Sequence, residues 1–302
     1  MKTAFIFPAF ITEYLGNELA ILEKLSAVFP EYLLRSSKAT GENYINFSVN
    51  DPSFTEDELR SQIISYTFSC CLADTLISKG LKPDFLAGYS MGLYAALYAG
   101  KAIGFNEGVR LIEQAFLISK QKISGTDAGM GSVIGLTTGE IDEIIGKEVL
   151  EVDIANTNSK YAHLVTGRME DVNRLLETAR ETGALHVSLL PVKTPYHSRL
   201  LAETQHEFRQ FINDKVTIRE SGYPVISSID QRQFTSPEEI SREFTHNLFQ
   251  KLDWHTTFKT MLLQDVQHFV ECGAGKSLYN ISRFVPGDFK VYPMHKIQTL
   301  IT

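Results

Sequence analysis

The fold of this chain is organised around one stretch, FLAGYSMGLYAA, which covers residues 85–96. Its first residues form a short apolar run typical of a buried strand, and Leu93 begins an apolar helical run. Between them, Gly88 to Gly92 form the Gly-x-Ser-x-Gly pattern of a nucleophile elbow, in which serine occupies a strained turn from strand to helix. Larger flanking side chains would clash in such a turn. The stretch predicts that Ser90 is a nucleophile; the alternative is an ordinary glycine-containing turn.

Length and composition are those of a globular enzyme. The 302 residues suffice for one large domain, or for one domain that carries a smaller insert. A net charge of −7 without a compensating Lys/Arg cluster argues against a nucleic-acid partner. The adjacent pair Cys70 and Cys71 and the lone Cys272 fit neither a disulfide framework nor a metal site. We therefore expect a reducing, cytoplasmic setting and no metal.

The N-terminal segment, residues 2–11, could be mistaken for a signal peptide. Pro8 interrupts its apolar run, Glu13 follows at once, and no small-residue cleavage site appears. We predict a first strand over residues 3–7 instead, and no association with a membrane.

Helices and strands alternate on both sides of the elbow. Among the cues are a capping box at residues 55–58 and a Ser-Pro helix start at residues 236–237. The predicted elements are a helix over 15–28, a loop over 35–53, a helix from the 55–58 box to residue 79, a helix from an N-cap at Asn106 to 122, a helix over 198–212, a strand near 224–227, a helix from 236, a helix over 251–263, a strand over 267–271, and a turn over 273–276 into a last helix.

The pattern changes between residues 129 and 191. Strand-like runs over 130–136, 150–155, 163–166 and 185–190 alternate with helices that begin at 137 and at 169. This β-α-β-β-α-β order is the ferredoxin-like arrangement. We predict an α/β fold, in which a large α/β-hydrolase-like domain (1–127 and 193–302) carries an inserted small ferredoxin-like α+β domain (128–192).

A nucleophilic serine needs a base within hydrogen-bond reach, and histidine is the usual one. His197 lies in KTPYHS, residues 193–198, where the predicted insert ends and a helix begins; proline on one side and a helix cap on the other fix this loop. This setting makes His197 a candidate base, and a structural turn histidine is the alternative that the local sequence leaves open. The other histidines lie in helical segments, in strand patterns or near the end of the chain: His163, His186, His206, His246, His255, His268 and His295.

Several motifs occur together in one order. They are FIFP at residues 5–8, GYSMG at 88–92, the ferredoxin-like insert, PYHS at 195–198 and ECGAGK at 271–276. In order and spacing they resemble the malonyl-CoA:acyl carrier protein transacylase family, which includes stand-alone fatty-acid enzymes and acyltransferases of polyketide synthases. The resemblance covers essentially the whole chain.

The resemblance implies a Ser-His dyad. Ser90 would attack an acyl-CoA or acyl-carrier thioester, His197 would take its proton, and the acyl group would pass from Ser90 to the thiol of an acyl carrier protein. No cofactor is implied. In the family a backbone carbonyl orients the histidine, and alignment of residues 248–254 assigns that carbonyl to Asp253. The family's oxyanion hole would be formed by the backbone N–H groups of Met91 and Phe10.

This sequence departs from the family pattern in three places. The Gly-Gln-Gly run that follows the family's opening Phe-Pro is replaced by residues 9–11, Ala-Phe-Ile, and the histidine before the nucleophile is replaced by Tyr89. The arginine that grips a malonyl carboxylate through two charge-assisted hydrogen bonds is replaced by Ala115. We therefore expect a neutral acyl group; the alternative is that another cation, such as Lys120, takes over. Tyr196 stands at a position that the family associates with acyl selectivity.

Other functions remain open at this point. The same dyad would serve a hydrolase that clears acyl groups from carrier proteins. A true malonyl transacylase, a general α/β-hydrolase and a non-catalytic carrier-binding module are further alternatives. Carrier proteins are usually acidic, and family position suggests a basic docking face formed by Arg168, Lys276 and Arg283; the alternative is scattered solvated charge. We expect a monomer.

Overall fold

Two β-sheets carry the fold in the computed structural model of the protein, which describes residues 1–11, 14 and 16–301. The larger sheet has the strand order β10-β9-β1-β2-β7-β8, and the smaller has the order β4-β5-β3-β6. The strands of the described residues are β1 (Lys2–Phe7), β2 (Phe85–Gly88), β3 (Ala128–Ile134), β4 (Val152–Ser159), β5 (Ala162–Arg168), β6 (His186–Leu189), β7 (Val225–Ile226), β8 (Gln233–Phe234), β9 (Val266–Glu271) and β10 (Lys290–Tyr292).

Helices cover both sheets. Two short 3₁₀ turns, Arg199–Leu201 and Met294–Lys296, accompany them. The α-helices of the described residues are α1 (Glu18–Leu25), α2 (Phe29–Thr40), α3 (Pro52–Thr55), α4 (Glu58–Ser78), α5 (Gly92–Ala99), α6 (Phe105–Lys122), α7 (Thr138–Glu148), α8 (Met169–Glu181), α9 (Thr204–Lys215), α10 (Pro237–Asn247), α11 (Trp254–Leu263), α12 (Ser277–Ser282) and α13 (Gln298–Ile301). No described helix has both the length and the apolar composition needed to cross a membrane.

The larger sheet is parallel except at one edge. Among the described strands, β1 pairs in parallel with β2 and β9, β10 pairs in parallel with β9, and β7 pairs in parallel with β2, whereas β8 pairs antiparallel with β7. Phe7 is level with Gly88, and Ile6 is level with Glu271, so β1, β2 and β9 end side by side. Ligands of open parallel sheets bind beyond the carboxyl ends of the strands. The loops that carry Ser90, residues 8–11 and residues 272–276 therefore meet at this edge.

The smaller sheet is antiparallel and is formed by strands of one continuous segment. Numbered along that segment, its strands lie in the order 4-1-3-2, and α7 and α8 follow its first and third strands. Val133, Val165 and Leu175 belong to the apolar core between the sheet and these helices, and each is fully buried. The α/β prediction is confirmed, and the β-α-β-β-α-β order is the one observed.

The first forty residues differ from the prediction. The helix predicted over 15–28 is α1, which begins at Glu18 and ends at Leu25; Leu15 lies outside the described residues. A second helix, α2, follows and extends into the segment that was predicted to be loop. Pro30 lies in the first turn of α2, where its missing N–H costs nothing, so it starts this helix rather than terminating the one before.

Two predicted caps are also wrong. Thr55 ends the short helix α3, and Asp57 caps α4 by accepting a hydrogen bond from the Arg60 N–H. Helix α6 begins after Gly104, whose N–H donates to the Glu107 carboxylate at 2.6 Å, so Asn106 lies inside the helix. Asp57 satisfies an N–H group in the first turn of α4, and the Glu107 carboxylate satisfies the N–H of the residue that precedes α6. Local pattern does not show which of several nearby acceptors is used.

Candidate active site

The turn at Ser90 is strained in the way that an elbow requires. Ser90 has φ of +53°, a left-handed conformation that is rare for a residue with a side chain. A Cβ on Gly88 would lie 2.2 Å from the Leu93 nitrogen, and a Cβ on Gly92 would lie 2.1 Å from the Phe7 carbonyl oxygen. Both positions therefore exclude any side chain. β1, β2 and α5 approach one another closely enough to hold the serine at the tip of the turn.

His197 lies against this serine. Its Nε2 is 2.7 Å from the Ser90 Oγ, although 107 residues separate the two in sequence. His197 also has positive φ, +61°, and its backbone N–H donates to the Leu248 carbonyl at 2.8 Å. The side chain is only 4% exposed. The structure thus brings together the two residues that sequence predicted as nucleophile and base.

The second ring nitrogen fixes the proton arrangement of His197. Nδ1 is 3.1 Å from the Gln250 carbonyl oxygen, which can only accept a hydrogen bond, so Nδ1 carries the proton and Nε2 faces Ser90 with its lone pair. Burial lowers the pKa of His197 to about 4, and the hydrogen bond to Gln250 opposes this shift. The imidazole is therefore neutral near neutral pH, as a base must be.

The expectation that Asp253 supplies this carbonyl is wrong. Asp253 caps α11, where its side chain accepts from the Thr256 N–H and its carbonyl accepts from the Thr257 N–H at 3.0 Å. The carbonyl of an N-cap residue points along its helix, into the first helical hydrogen bond. Gln250, three residues earlier, lies in the segment that passes the imidazole.

Two backbone N–H groups beside Ser90 are available to a ligand. Among the described residues, neither the Met91 N–H nor the Phe10 N–H donates a hydrogen bond. The loop around Phe10 is nevertheless held in place, because the Ile11 N–H donates to Ser65 Oγ at 3.1 Å and the Ile11 carbonyl accepts from the Ser61 hydroxyl. The Ala-Phe-Ile loop is thus tied to α4, and Phe10 lines the cavities at Ser90.

A large cavity, lined by both Ser90 and His197, lies between the two sheets. Its volume is about 240 Å³ and its walls are largely apolar. Both the loops of the larger sheet and the strands of the smaller sheet contribute to it. It is lined by Ala9, Phe10, Ile11, Tyr89, Ser90, Met130, Asn156, Leu164, Leu190, Pro191, Val192, Tyr196, His197, Ser277, Leu278 and Ile281.

A second, small cavity of about 20 Å³ also borders Ser90. It shares Phe10, Ser90 and Tyr196 with the large cavity but is not lined by His197. Its lining residues are Phe10, Gln62, Ser90, Met91, Tyr94, Ala115, Tyr196, Asn247 and Leu248. Of the described residues, no Lys, Arg, Asp or Glu lines either cavity.

The predicted pocket residues all lie in these walls. Tyr89 lines the large cavity and its hydroxyl donates to Asn158 Oδ1 at 3.0 Å; burial raises its pKa to about 12, while Asn158 lowers it. Ala115 lines the small cavity, and Tyr196 lines both. Lys120 lines neither, since its ammonium lies 3.7 Å from the Glu58 carboxylate.

Sequence reasoning missed two polar residues of the small cavity. Gln62 Nε2 donates to the Tyr196 hydroxyl at 2.8 Å, and Asn247 Nδ2 donates to the Ser90 carbonyl at 3.2 Å. The only signal for Gln62 is that an amide lies within the long buried run of α4. Asn247, the last residue of α10, gives no local signal because its partner is 157 residues away.

The ECGAGK motif shapes the rim of the large cavity. The Glu271 carboxylate accepts from the N–H groups of Leu278 and Tyr279, both at 2.9 Å, and so holds the start of α12 against the end of β9. Burial raises the pKa of Glu271 to about 7, while these hydrogen bonds lower it. This contact positions the part of α12 that carries Ile281. No cluster of three or more metal-ligating side chains occurs in the described part of the chain.

Comparison with known proteins agrees with this geometry. The model of the acyl transferase domain family matches residues 59–271. A malonyl CoA-acyl carrier protein transacylase of Staphylococcus aureus (strain MW2) is 26% identical over 308 residues, covering 99% of this chain and 96% of the relative. The solved malonyl CoA-acyl carrier protein transacylase of Coxiella burnetii is 26% identical, with a TM-score of 0.89 over 100% of this chain and 97% of that one. This chain belongs to the acyl transferase domain family and is an acyltransferase.

Proposed function

We propose that the protein transfers a neutral acyl group from a thioester donor to the thiol of an acyl carrier protein through an acyl-Ser90 intermediate. The observation that carries this proposal is the 2.7 Å contact between Ser90 Oγ and the neutral His197, at two cavities that no Lys, Arg, Asp or Glu of the described residues lines. Relatives over nearly the full chain are named malonyl CoA-acyl carrier protein transacylases, which supports a carrier protein as the partner.

In the first half-reaction His197 Nε2 takes the Ser90 proton as Oγ attacks the thioester carbonyl carbon. The Met91 and Phe10 N–H groups donate to the oxygen that becomes negatively charged. The C–S bond then breaks, and the imidazolium returns its proton to the departing thiolate. The Gln250 carbonyl stabilises the imidazolium through the Nδ1 proton.

In the second half-reaction His197 accepts the proton of the incoming carrier thiol, whose sulfur attacks the acyl carbon of the ester. Ser90 Oγ leaves and takes the proton back. Water in place of the thiol would give hydrolysis on the same residues, so acceptor choice depends on what enters the large cavity while Ser90 is acylated.

The uncharged lining argues for a neutral acyl group. A carboxylate buried beside Ala115 without a cation would lose its hydration and gain no ion pair, at a cost of several kcal/mol. Lys120 cannot offset this cost from its position against Glu58. Malonyl transfer by this chain is therefore disfavoured, although its relatives are named malonyl CoA-acyl carrier protein transacylases.

Trapping the acyl-enzyme tests this function. The protein is mixed with acetyl-CoA or malonyl-CoA, quenched, and weighed by intact mass spectrometry; a carrier protein with its thiol arm is then added and its acylation measured. We expect acetyl loading that disappears in Ser90→Ala and passes to the carrier. Malonyl loading as fast as acetyl loading contradicts the neutral-acyl proposal, and loss of the acyl group to water at an equal rate without carrier identifies a hydrolase.

The cysteines bear on the cellular setting. Cys70, Cys71 and Cys272 are all free and buried, which is compatible with the cytoplasmic location that we propose.

A further inference from the structure

The two cavities at Ser90 would hold different parts of a bound thioester: the sulfur with its arm in one, and the acyl substituent in the other. His197 must reach both the Ser90 Oγ and the sulfur that leaves or attacks, because it moves the proton between them. His197 lines only the large cavity, so the sulfur and the arm that carries it lie there. With the carbonyl oxygen turned toward Met91 and Phe10, the remaining substituent of the carbonyl carbon points toward the small cavity.

Most of the side chains that line the small cavity are buried. The Gln62 amide, which is 4% exposed, holds the Tyr196 hydroxyl at 2.8 Å and ties α4 to the residue that precedes His197. Tyr94 and Leu248, each 3% exposed, complete the wall together with Ala115. Tyr94, Ala115 and Leu248 belong to the buried apolar core and cannot move aside without disturbing it, whereas Tyr196 is half-buried and is held by its contact with Gln62.

Volume then limits the acyl group. About 20 Å³ is little more than the space that one water-sized probe needs. A methyl group is of similar size, so the cavity takes the methyl of an acetyl group. Each further methylene must displace Tyr196, Tyr94 or Leu248, and one methylene of mismatch in an apolar pocket typically changes the rate by about 10–200-fold.

We propose that the acyl substrate is an acetyl thioester and that the Gln62–Tyr196 contact sets this chain-length limit. The inference rests on the proposed function, because it assigns the acyl group of the same Ser90 intermediate. The opposing arrangement places a longer acyl chain in the large apolar cavity, whose volume of about 240 Å³ exceeds the roughly 150 Å³ of an engineered cavity that binds benzene.

Two truncations separate these arrangements. Gln62→Ala shortens a side chain that lines only the small cavity, and Ile281→Ala shortens one that lines only the large cavity. The initial rates of Ser90 loading are measured by intact mass with acetyl-, propionyl-, butyryl- and hexanoyl-CoA, for the wild type and both variants. Melting temperatures confirm that each variant is folded.

For the wild type we expect loading to fall about 10-fold or more from acetyl to propionyl and again from propionyl to butyryl. Gln62→Ala should raise the butyryl-to-acetyl ratio by at least about 10-fold, whereas Ile281→Ala should change all rates by a common factor. If Gln62→Ala does not fold, the wild-type series alone decides.

Three outcomes overturn the inference. Hexanoyl loading as fast as acetyl loading shows that no length limit exists. A ratio that shifts in Ile281→Ala but not in Gln62→Ala places the chain in the large cavity. Both results leave acylation of Ser90 intact and so leave the proposed function standing. If no thioester of the series loads Ser90, the proposed function fails and the inference fails with it.

Discussion

The serine elbow (residues 88–92) and the histidine loop (residues 193–198) meet at 2.7 Å but are held in different ways. The elbow is a local structure, in which β2, Ser90 and α5 follow one another directly and glycines permit the close approach to β1. The histidine loop is held by a distant segment, through the Leu248 and Gln250 carbonyls. A strained residue is thus supported in one case by its neighbours in sequence and in the other by its neighbours in space.

The largest expected effect is on the acylation rate, and it is the same for a substitution in the elbow and for one in the histidine loop. Ser90→Ala removes the nucleophile and His197→Ala removes the base, and each should lower the acylation rate by about 10⁴-fold or more. Because the two act as one unit, the double variant should be no slower than either single variant. Loading rates from acetyl-CoA measure this, with melting temperatures as the control. An additive double variant would indicate two independent functions.

Gly92→Ala tests the packing of the elbow without altering the histidine loop. The added Cβ would lie 2.1 Å from the Phe7 carbonyl oxygen, so β1 and α5 must move apart. We expect the free energy of unfolding to fall by roughly 3 kcal/mol, within the range of severe core substitutions. Urea denaturation measures it.

Gly146→Ala is the matched control, because a Cβ at this position in α7 meets nothing within 4 Å. Alanine in a helix interior should stabilise the protein by about 0.5–1 kcal/mol. If both variants had the same stability as the wild type, the close packing between the elbow and β1 would be contradicted.

The pH dependence of acylation probes the histidine loop. Burial lowers the pKa of His197 to about 4, so the neutral, basic form persists well below the ordinary range of histidine. The acylation rate should stay level from pH 8 to pH 5 and fall about tenfold per pH unit only below about pH 4. Quenched-flow measurements of Ser90 acylation at each pH give this rate. An acid limb, that is, a fall of the rate at low pH, that begins near the ordinary histidine pKa would contradict the prediction.

Stability must be followed over the same range. Between the ordinary histidine pKa and about pH 4, the unfolded chain binds a proton at residue 197 that the folded chain does not, so the free energy of unfolding decreases as the pH falls through this window. Circular dichroism at each pH separates this loss from the titration of the base. His163→Gln is the control, because His163 is also buried with a lowered pKa but is not in contact with Ser90, and its removal should not move the acid limb.

The same contrast explains what could be predicted from the sequence. The elbow was predictable because its glycines, strand and helix lie within twelve residues, and the local pattern of its loop marked His197 as a candidate base. The α/β order followed from periodicity in the same way. All these signals are short in range.

The remaining features depend on distant partners. Asn247 and Gln62 contact Ser90 and Tyr196 across long sequence separations, so no local pattern marks them. The orienting carbonyl was assigned three residues too late, because alignment gives a position in the sequence but not the direction in which a carbonyl points. Where the backbone runs into α11, the capping geometry of Asp253 decides that direction.

Asp253→Ala is the smallest expected effect and the sharpest test of this difference. The substitution removes the acceptor for the Thr256 N–H, held at 2.9 Å, and should cost about 1 kcal/mol of stability, as for other lost N-caps. Asp253→Asn keeps an acceptor oxygen and should cost less. Because Gln250 rather than Asp253 orients His197, neither variant should change the acylation rate or its acid limb by more than about twofold. Urea denaturation and the pH series measure the two quantities side by side. A shifted acid limb in Asp253→Ala would mean that the cap of α11 also sets the imidazole, and that the histidine loop is held by this helix end rather than by the segment before it.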